Sequence, residues 1–433
     1  MRELLRTAEC RQLFAKLYGT EEDCYQSQLD RYETLIQNYT DHFNEEPLSL
    51  FSSPGRTEIG GNHTDHNRGL VLAASINLDT IAAVKKSDSG VIRVFSEGYP
   101  DTFSISLNDL SKKGSERETT TSIIRGIAAK LKDEGYKIGG FNAYLSSDVY
   151  VGSGLSSSAS FEVMIGTILN DLYNNSRIEP EKIARIGQYA ENEYFGKPCG
   201  LMDQLAIAVG NTVMIDFQDS ISPRIKKVPF DLAQFGYSLV LVNTGGNHVD
   251  LNDEYTNVYR EMQSVARQFA LNDCRDLTYP EILSRIPDLR EKVGDRAILR
   301  ALHFLNDNER VLAEVAALEK GDIKRFLEMV NESGDSSCKY LQNCYSSRNP
   351  GEQGIPLALA ITEMFFKNGT KKSACRVHGG GFAGTIQAFI PNEDVPAYVA
   401  LTTSVFGEDA VSVLAIRPVG AVRIDRQISK SAA

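Results

Sequence analysis

Apolar positions recur along the chain in two styles. In "MRELLRTAECRQLFAKLYG", and again from Tyr32 to Phe43, they fall at helical intervals. "LSLFSS" and "LVLAASI" are instead short apolar runs that predict buried strands. Between those runs lies "SPGRTEIGGNHTDHNRG", Ser53 to Gly69, a glycine-rich polar loop expected at a sheet edge. Further on, "DTIAAVKKS" and "GVIRVFSE" alternate like paired strands joined by the turn "SDSG", with "FSISL" after them. "TSIIRGIAAKLKDEG" then predicts a helix closed by Gly135. The next unit is a strand, "GFNAYLSSDVYV", a turn, "GSGLSSSAS", and a helix with Phe161, Met164, Ile165, Ile168, Leu169 and Leu172 on one face.

A helix from Glu181 to about Glu193 precedes "FGKPCGLMDQLAIAVG", in which a new helix begins near Gly200. "NTVMIDF" is again a strand. The polar, proline-bearing "QDSISPRIKKVPFD" interrupts the apolar pattern and predicts a domain boundary, dividing the chain into residues 1–220 and 221–433. Beyond it come the strand "SLVLVNTGG", long helices through "AILRALHFLNDNERVLAEVAALEKGD", and the late strand pair "KSACRVHGGGFAGTIQAFI". No internal repeat is present. Strands and helices mixed without strict alternation predict an α+β fold rather than a doubly wound α/β one.

Composition narrows the function classes. A chain of 433 residues, 42% hydrophobic and 24% charged, can bury the cores of two or three domains. The net charge of −11 is spread along the chain, with no basic cluster to follow a phosphate backbone, so nucleic acid is not an expected partner. No stretch of 18 uninterrupted apolar residues occurs, and neither a signal peptide nor a membrane span is expected. The seven cysteines stand singly apart from Cys338 and Cys344, which predicts a reduced cytoplasmic protein with cysteines as small core residues.

The chemistry sits in the loops. In "GSGLSSSAS" a glycine-rich turn enters the N-terminus of an amphipathic helix, where free N–H groups and the positive helix end attract anions. Ser156, Ser157 and Ser158 add hydroxyl donors, so phosphate binding is preferred to a plain serine cap; no lysine follows in the Walker position. "HGGGFAG" fits G-x-G-x-x-G, but the following "TIQAFI" alternates as a strand, so a tight hairpin is expected. Its glycines could still form a second wall of a phosphate site. Asp203 lies in the first turn of its helix, where the dipole favours the ionised form; that is either a cap or, beside the flexible "GKPCG", a functional carboxylate. His63, Asp65 and His66 lack the further ligands a zinc site needs and suit hydrogen bonding to neighbouring sugar hydroxyls.

These loops, in this order, resemble the galactokinases of the GHMP small-molecule kinase superfamily over nearly the entire chain. That family's first signature, G-R-x-N-x-I-G-E-H-x-D-Y, is met at Gly55, Arg56, Gly61, His63 and Asp65 and broken at Glu58, Gly60, Asn62 and His66. "GLSSSAS" and "GLMDQ" match almost letter for letter, and "NHVDLNDEY" resembles the family's stretch ending in Glu-Tyr. The resemblance implies a two-domain GHMP kinase fold with mixed sheets and helices in both domains and the active site at their junction. It implies an ATP-dependent 1-kinase for galactose, with N-acetylgalactosamine, galacturonic acid or a non-catalytic sugar and ATP sensor as alternatives. Asp203 would accept or orient the proton of the anomeric hydroxyl, and Arg56 would stabilise charge beside it. ATP would lie on Gly152, Gly154, Leu155, Ser156, Ser157 and Ser158, with Gly380 and Gly381 opposite. Magnesium would be met by Ser158 and Glu191. The sugar would be read by His63, Asp65, Gly200 and Tyr255, with Asn62 in place of the family's glutamate. Asn247 stands where members often carry arginine, and no tryptophan precedes "SIIRG" to face the adenine. The implied partners are ATP and a monosaccharide, with no membrane and a monomeric enzyme.

Overall fold

The computed structural model describes residues 1–149, 154–228, 230–246, 251–369, 371–382 and 384–431. Its first sheet takes β1 (Ser49–Gly60), β2 (Leu70–Ser87), β3 (Val91–Ser96), β4 (Phe103–Ser106), β5 (Gly140–Ser147), β6 (Thr212–Asp216) and β7 (Arg224–Lys227). The second takes β8 (Tyr237–Asn243), β9 (Ala374–Val377), β10 (Thr385–Pro391) and β11 (Val411–Leu414). The short β12 (Val422–Arg423) returns to the first sheet and pairs with β1. The first sheet is ordered β12-β1-β2-β5-β3-β4, with β6 on β2 and β7 on β6; the second is β11-β8-β10-β9.

The strands differ from the sequence expectation in one instructive way. "DTIAAVKKS" is not a separate strand but the far half of β2, which runs unbroken from the opening loop. Nor does it form a hairpin with β3, because β5 inserts between them, antiparallel to β2 and parallel to β3. A turn signal fixes that the chain reverses, but the apolar face of β5 decides which strand becomes the neighbour. The late pair is a hairpin as expected, with β9 and β10 antiparallel. β7 lies within the polar stretch where the sequence pattern breaks, and it extends the first sheet.

Three apolar layers hold the site in place. Helices Thr120–Asp133, Ser157–Asn174, Pro180–Tyr189 and Met202–Val209 cover one face of the first sheet. The N-terminal helices Ala8–Tyr18 and Glu22–Phe43 cover the other through Phe14, Tyr32 and Tyr39. A third cluster joins the sheets: Ile59, Leu72 and Ile76 meet Leu239, Phe326 and Phe389. The loop leaving β1 is thereby clamped between the two halves. Buried Asp79 accepts from Arg31 at 2.6 Å, Tyr18 at 2.7 Å and Arg417 at 3.1 Å, tying the N-terminal helices to the returning C-terminal segment.

Cys338 and Cys344 form a disulfide instead of standing as core thiols, and close the turn that carries Asn343. Cys10, Cys24, Cys199, Cys274 and Cys375 are free. Among the described residues no helix is long and apolar enough to cross a membrane.

Candidate active site

The opening loop departs from β1 through a run of residues that no extended strand could accommodate. Gly61 has φ +85°, and a Cβ there would lie 2.2 Å from the carbonyl of Leu70. His63 follows at φ 58°, and a short helical turn, Asp65–Asn67, completes the reversal. This folding turns Arg56, Glu58, His63, Asp65 and His66 into a cavity of about 630 Å³. The second half of the chain closes it with Tyr255 and Gly380.

At its floor Arg56 meets Asp203 in a bidentate pair, Nε to Oδ1 at 2.7 Å and Nη2 to Oδ2 at 2.8 Å. Ser156 also donates to Asp203, and the remaining guanidinium nitrogen of Arg56 donates to the carbonyl of Gly154. Burial by itself would push the Asp203 carboxyl up, but the charge and hydrogen bonds of Arg56, with Ser156, hold it below the ordinary aspartate value. Asp203 stands in the first turn of helix Met202–Val209, so the helix dipole adds to the same end.

Around the rim, Gly200 leaves room for Asp65: a Cβ there would sit 2.3 Å from Oδ2. His63 Nε2 lies 2.8 Å from the Gly380 carbonyl and must donate to it. Burial lowers the His63 pKa to about 4, so the ring is neutral with Nδ1 as an acceptor. Its ring stacks on Tyr255, centroids 6.2 Å apart, and burial raises that phenol to about 12. Gly380 is required under the same tyrosine, since a Cβ would lie 2.5 Å from the ring.

The serine loop opens a second cavity of about 480 Å³, with Ile123, Phe161, Phe195 and Tyr99 as apolar walls. Ser158, Glu191 and Lys197 line both cavities. Ser157 begins helix Ser157–Asn174, and Ser156 before it adopts a left-handed conformation with φ 62°. Glu191 lies in a π-type turn, Ala190–Phe195, that widens the end of the preceding helix. Lys197 Nζ is 3.7 Å from its carboxylate. Behind Glu191 sits the buried Glu162, which burial first and then the charge of Glu191 push well above the usual carboxylate range.

Most of the residues singled out in the sequence are brought together. Arg56, His63, Asp65, Ser158, Glu191, Gly200, Asp203, Tyr255 and Gly380 share the first cavity. Ser156 is committed to Asp203, and Ser157 faces the second cavity. Leu155 is buried, and its carbonyl accepts the Arg56 backbone N–H at 3.1 Å. Gly381 packs on Asn343 instead of a cavity: a Cβ would lie 2.2 Å from that residue's carbonyl. Asn62 is not brought to the cavity at all. It is fully buried, and Glu58 occupies the wall where a residue-62 side chain was expected. Gly152 and Asn247 lie outside the described residues.

Sequence reasoning missed Glu58, Lys197 and His378. Glu58 was visible only as a break in the signature, and Lys197 as a letter in "GKPCG". His378 is buried beside the serine loop. Its Nε2 accepts the Glu58 backbone N–H at 3.3 Å, which leaves the proton on Nδ1 facing the Gly154 turn. Burial, then the charges of Arg56 and Arg376, keep it neutral.

Two segments of the chain match known family models, and the fold matches solved structures. Residues 122–211 match the GHMP kinases N terminal domain, and residues 37–86 match the galactokinase galactose-binding signature. The structure resembles galactokinase from Lactococcus lactis, solved in complex with galactose, at TM-score 0.76 and 24% identity, covering 90% of this chain and 99% of that one. It also resembles mevalonate kinase from Methanococcus jannaschii (TM-score 0.57, 13% identity, 86% and 98% covered) and from L. major (0.58, 16%, 87% and 99%). The fold is thus the two-domain GHMP kinase fold. The first half of the chain carries a GHMP kinase N-terminal domain and a galactokinase-type galactose-binding signature.

Proposed function

We propose that the protein transfers the γ-phosphate of ATP to the anomeric hydroxyl of galactose, giving galactose 1-phosphate. The observation that carries this reading is the Arg56–Asp203 pair. It places an ionised carboxylate at the floor of a cavity that Glu58, His63 and Asp65 also line, beside a serine loop that opens into a second, more apolar one. Galactose fits the first cavity, where Asp65 and neutral His63 supply the directional acceptors that distinguish epimers. The adenine fits the second, whose walls are Ile123, Phe161, Phe195 and Tyr99; Tyr99 offers the aromatic face that a tryptophan would otherwise give. Ser158, Glu191 and Lys197, common to both, then lie where the triphosphate must cross.

Asp203 orients the anomeric hydroxyl toward the γ-phosphorus. A carboxylate held below its ordinary pKa is a weak base for a ground-state alcohol. The proton therefore passes late, as the new O–P bond forms and the hydroxyl becomes acidic. The bond from phosphorus to the ADP oxygen breaks in the same displacement, and Asp203 later returns its proton to water. Arg56 keeps Asp203 ionised and, through its bond to the Gly154 carbonyl, holds the phosphate loop in register with the acceptor.

Magnesium suits the residues present. Among the described residues no group of three or more His, Cys, Asp or Glu side chains could hold a metal alone. Ser158 and Glu191 offer one hydroxyl and one carboxylate, the sparse oxygen set of an ion that keeps waters and takes its other ligands from phosphates. Such an ion would neutralise charge on the phosphate oxygens. The same reading puts the enzyme in the cytoplasm, in keeping with the five free cysteines.

The test is a kinase assay of the purified protein with magnesium-ATP against hexoses, hexosamines and uronic acids. Galactose should lead, and glucose should be a poor substrate. A panel led by glucose, or ATP turnover independent of any sugar, would overturn the reading.

A further inference from the structure

The galactokinase signature carries asparagine where Glu58 stands and glutamate where Asn62 stands. In this chain the two side chains are hydrogen-bonded to each other, Asn62 Nδ2 to Glu58 Oε1 at 2.8 Å. The acid and the amide have changed places within one contact.

Every polar atom of the Asn62 side chain is occupied. Nδ2 also donates to the Gly379 carbonyl at 2.7 Å, and Oδ1 accepts from Asn343 Nδ2 at 2.7 Å and Ser337 Oγ at 3.2 Å. Its backbone is pinned as well: the N–H donates to Asp307 at 2.8 Å and the carbonyl accepts from His303 at 2.9 Å. An amide held in this way cannot turn toward a ligand without leaving buried groups unpaired. Glu58 is the reverse case. It lines the cavity, and Asn62 and Arg376 (Nη2, 3.0 Å) both bond its Oε1. Oε2 has no hydrogen-bond partner among the described residues.

Gly60 shows that these changes belong together. A side chain there would collide with Glu314, whose Oε2 lies 2.0 Å from the position of a Cβ. The signature's isoleucine has no room, and the buried Glu314 takes its space. Arg376, Glu314 and Asn343, all from the second half of the chain, therefore accommodate the breaks at positions 58, 60 and 62.

We propose that Glu58 and Asn62 are a reciprocal exchange of carboxyl and amide, and that Glu58 is the residue selecting neutral galacto-configured hexoses over uronic acids. The selectivity half rests on the sugar-kinase reading above. Replacement of the signature glutamate by Asn62 does not remove the acid from the sugar site; the acid enters from β1 instead. A substrate carboxylate would meet Glu58 and Asp65 together, which a neutral hydroxymethyl group does not. Burial, set against the charges of Arg376 and Arg56, raises the Glu58 pKa to about 7, so part of the population is ionised at neutral pH.

The test compares Glu58→Gln, Glu58→Asn, Asn62→Glu and the double variant Glu58→Asn/Asn62→Glu. It reads the thermal midpoint and equilibrium titration with galactose and galacturonate, without nucleotide. Asn62→Glu alone buries two acids side by side and should lower the midpoint by about 3 °C or more, and the double variant should recover most of that loss. Glu58→Gln keeps the acceptor for Asn62 and should shift the galacturonate-to-galactose affinity ratio about tenfold or more toward galacturonate. Thermal losses that merely add in the double variant would overturn the exchange, and an unchanged ratio in Glu58→Gln would overturn the selectivity role. If the wild-type protein binds neither sugar, the sugar reading itself fails and takes the selectivity claim with it. The thermal cycle still decides whether the two residues are an exchanged pair.

Discussion

Arg56 and Asp203, 147 positions apart in the chain, meet through two parallel hydrogen bonds of 2.7 and 2.8 Å. The pair joins β1 to the start of helix Met202–Val209, so the loop after β1 and the serine loop share one electrostatic element. Asp203→Asn should lower turnover by about 10²- to 10⁴-fold with the circular dichroism spectrum unchanged, since it removes charge and basicity but little volume. Turnover near the wild-type value would remove Asp203 from the chemistry.

Gly200 predicts a substitution confined to the sugar side. Gly200→Ala places a methyl group where Asp65 Oδ2 now lies, 2.3 Å from the Cβ position, and Asp65 must move. The KM for galactose should rise about tenfold or more while ATP affinity stays within about twofold, because a displaced polar contact is worth about 1 to 3 kcal/mol. Equal losses on both substrates would place Gly200 in the general scaffold.

The phosphate loop is tested at Gly154 and Ser158. Gly154 has φ +75°, and a Cβ there would come within 3.2 Å of His378 Nδ1. Gly154→Val should weaken ATP binding about tenfold or more in an equilibrium titration, and Ser158→Ala should raise the magnesium concentration needed for half-maximal rate. Unchanged ATP affinity in Gly154→Val would mean that the phosphates bind elsewhere.

His63 predicts an acid-side loss of stability. Its folded pKa of about 4 lies below the unfolded value of 6.5, so the unfolded chain binds the extra proton first as pH falls. The stability it contributes is complete above about 6.5 and lost progressively toward pH 4, on the order of 3 kcal/mol in all. His63→Asn, which tolerates the left-handed backbone at φ 58°, should flatten that part of the pH–stability curve in urea titrations between pH 7.5 and 5. A curve as steep as the wild type's would assign the effect to other buried histidines, His303 and His378 among them.

Much of the site was legible because its parts are local. A glycine turn feeding a helix, an acid in a helix's first turn and a polar loop between two strands are each read from a dozen neighbouring residues. The hairpin behind "HGGGFAG" was legible for the same reason. What escaped depends on partners far along the chain. β5 separating β2 from β3 is a choice among apolar strands that local turn signals do not encode. The burial of Asn62 depends on Gly379, Asn343 and His303, more than 200 residues away, and Glu58 stands at the cavity with one oxygen held by Asn62 and by the equally distant Arg376. A residue-by-residue match to a signature places Asn62 in the glutamate's role; the contacts show instead that Asn62 is committed to protein groups while Glu58 stands at the cavity wall.

Phosphorus-31 NMR of the product formed from galactose and ATP reads directly which sugar oxygen receives the phosphoryl group. Transfer to the anomeric oxygen should give one sugar phosphate per ADP, its resonance coupled to the anomeric proton. A phosphate coupled to the C6 protons, or ADP accumulating with no sugar phosphate, would contradict it.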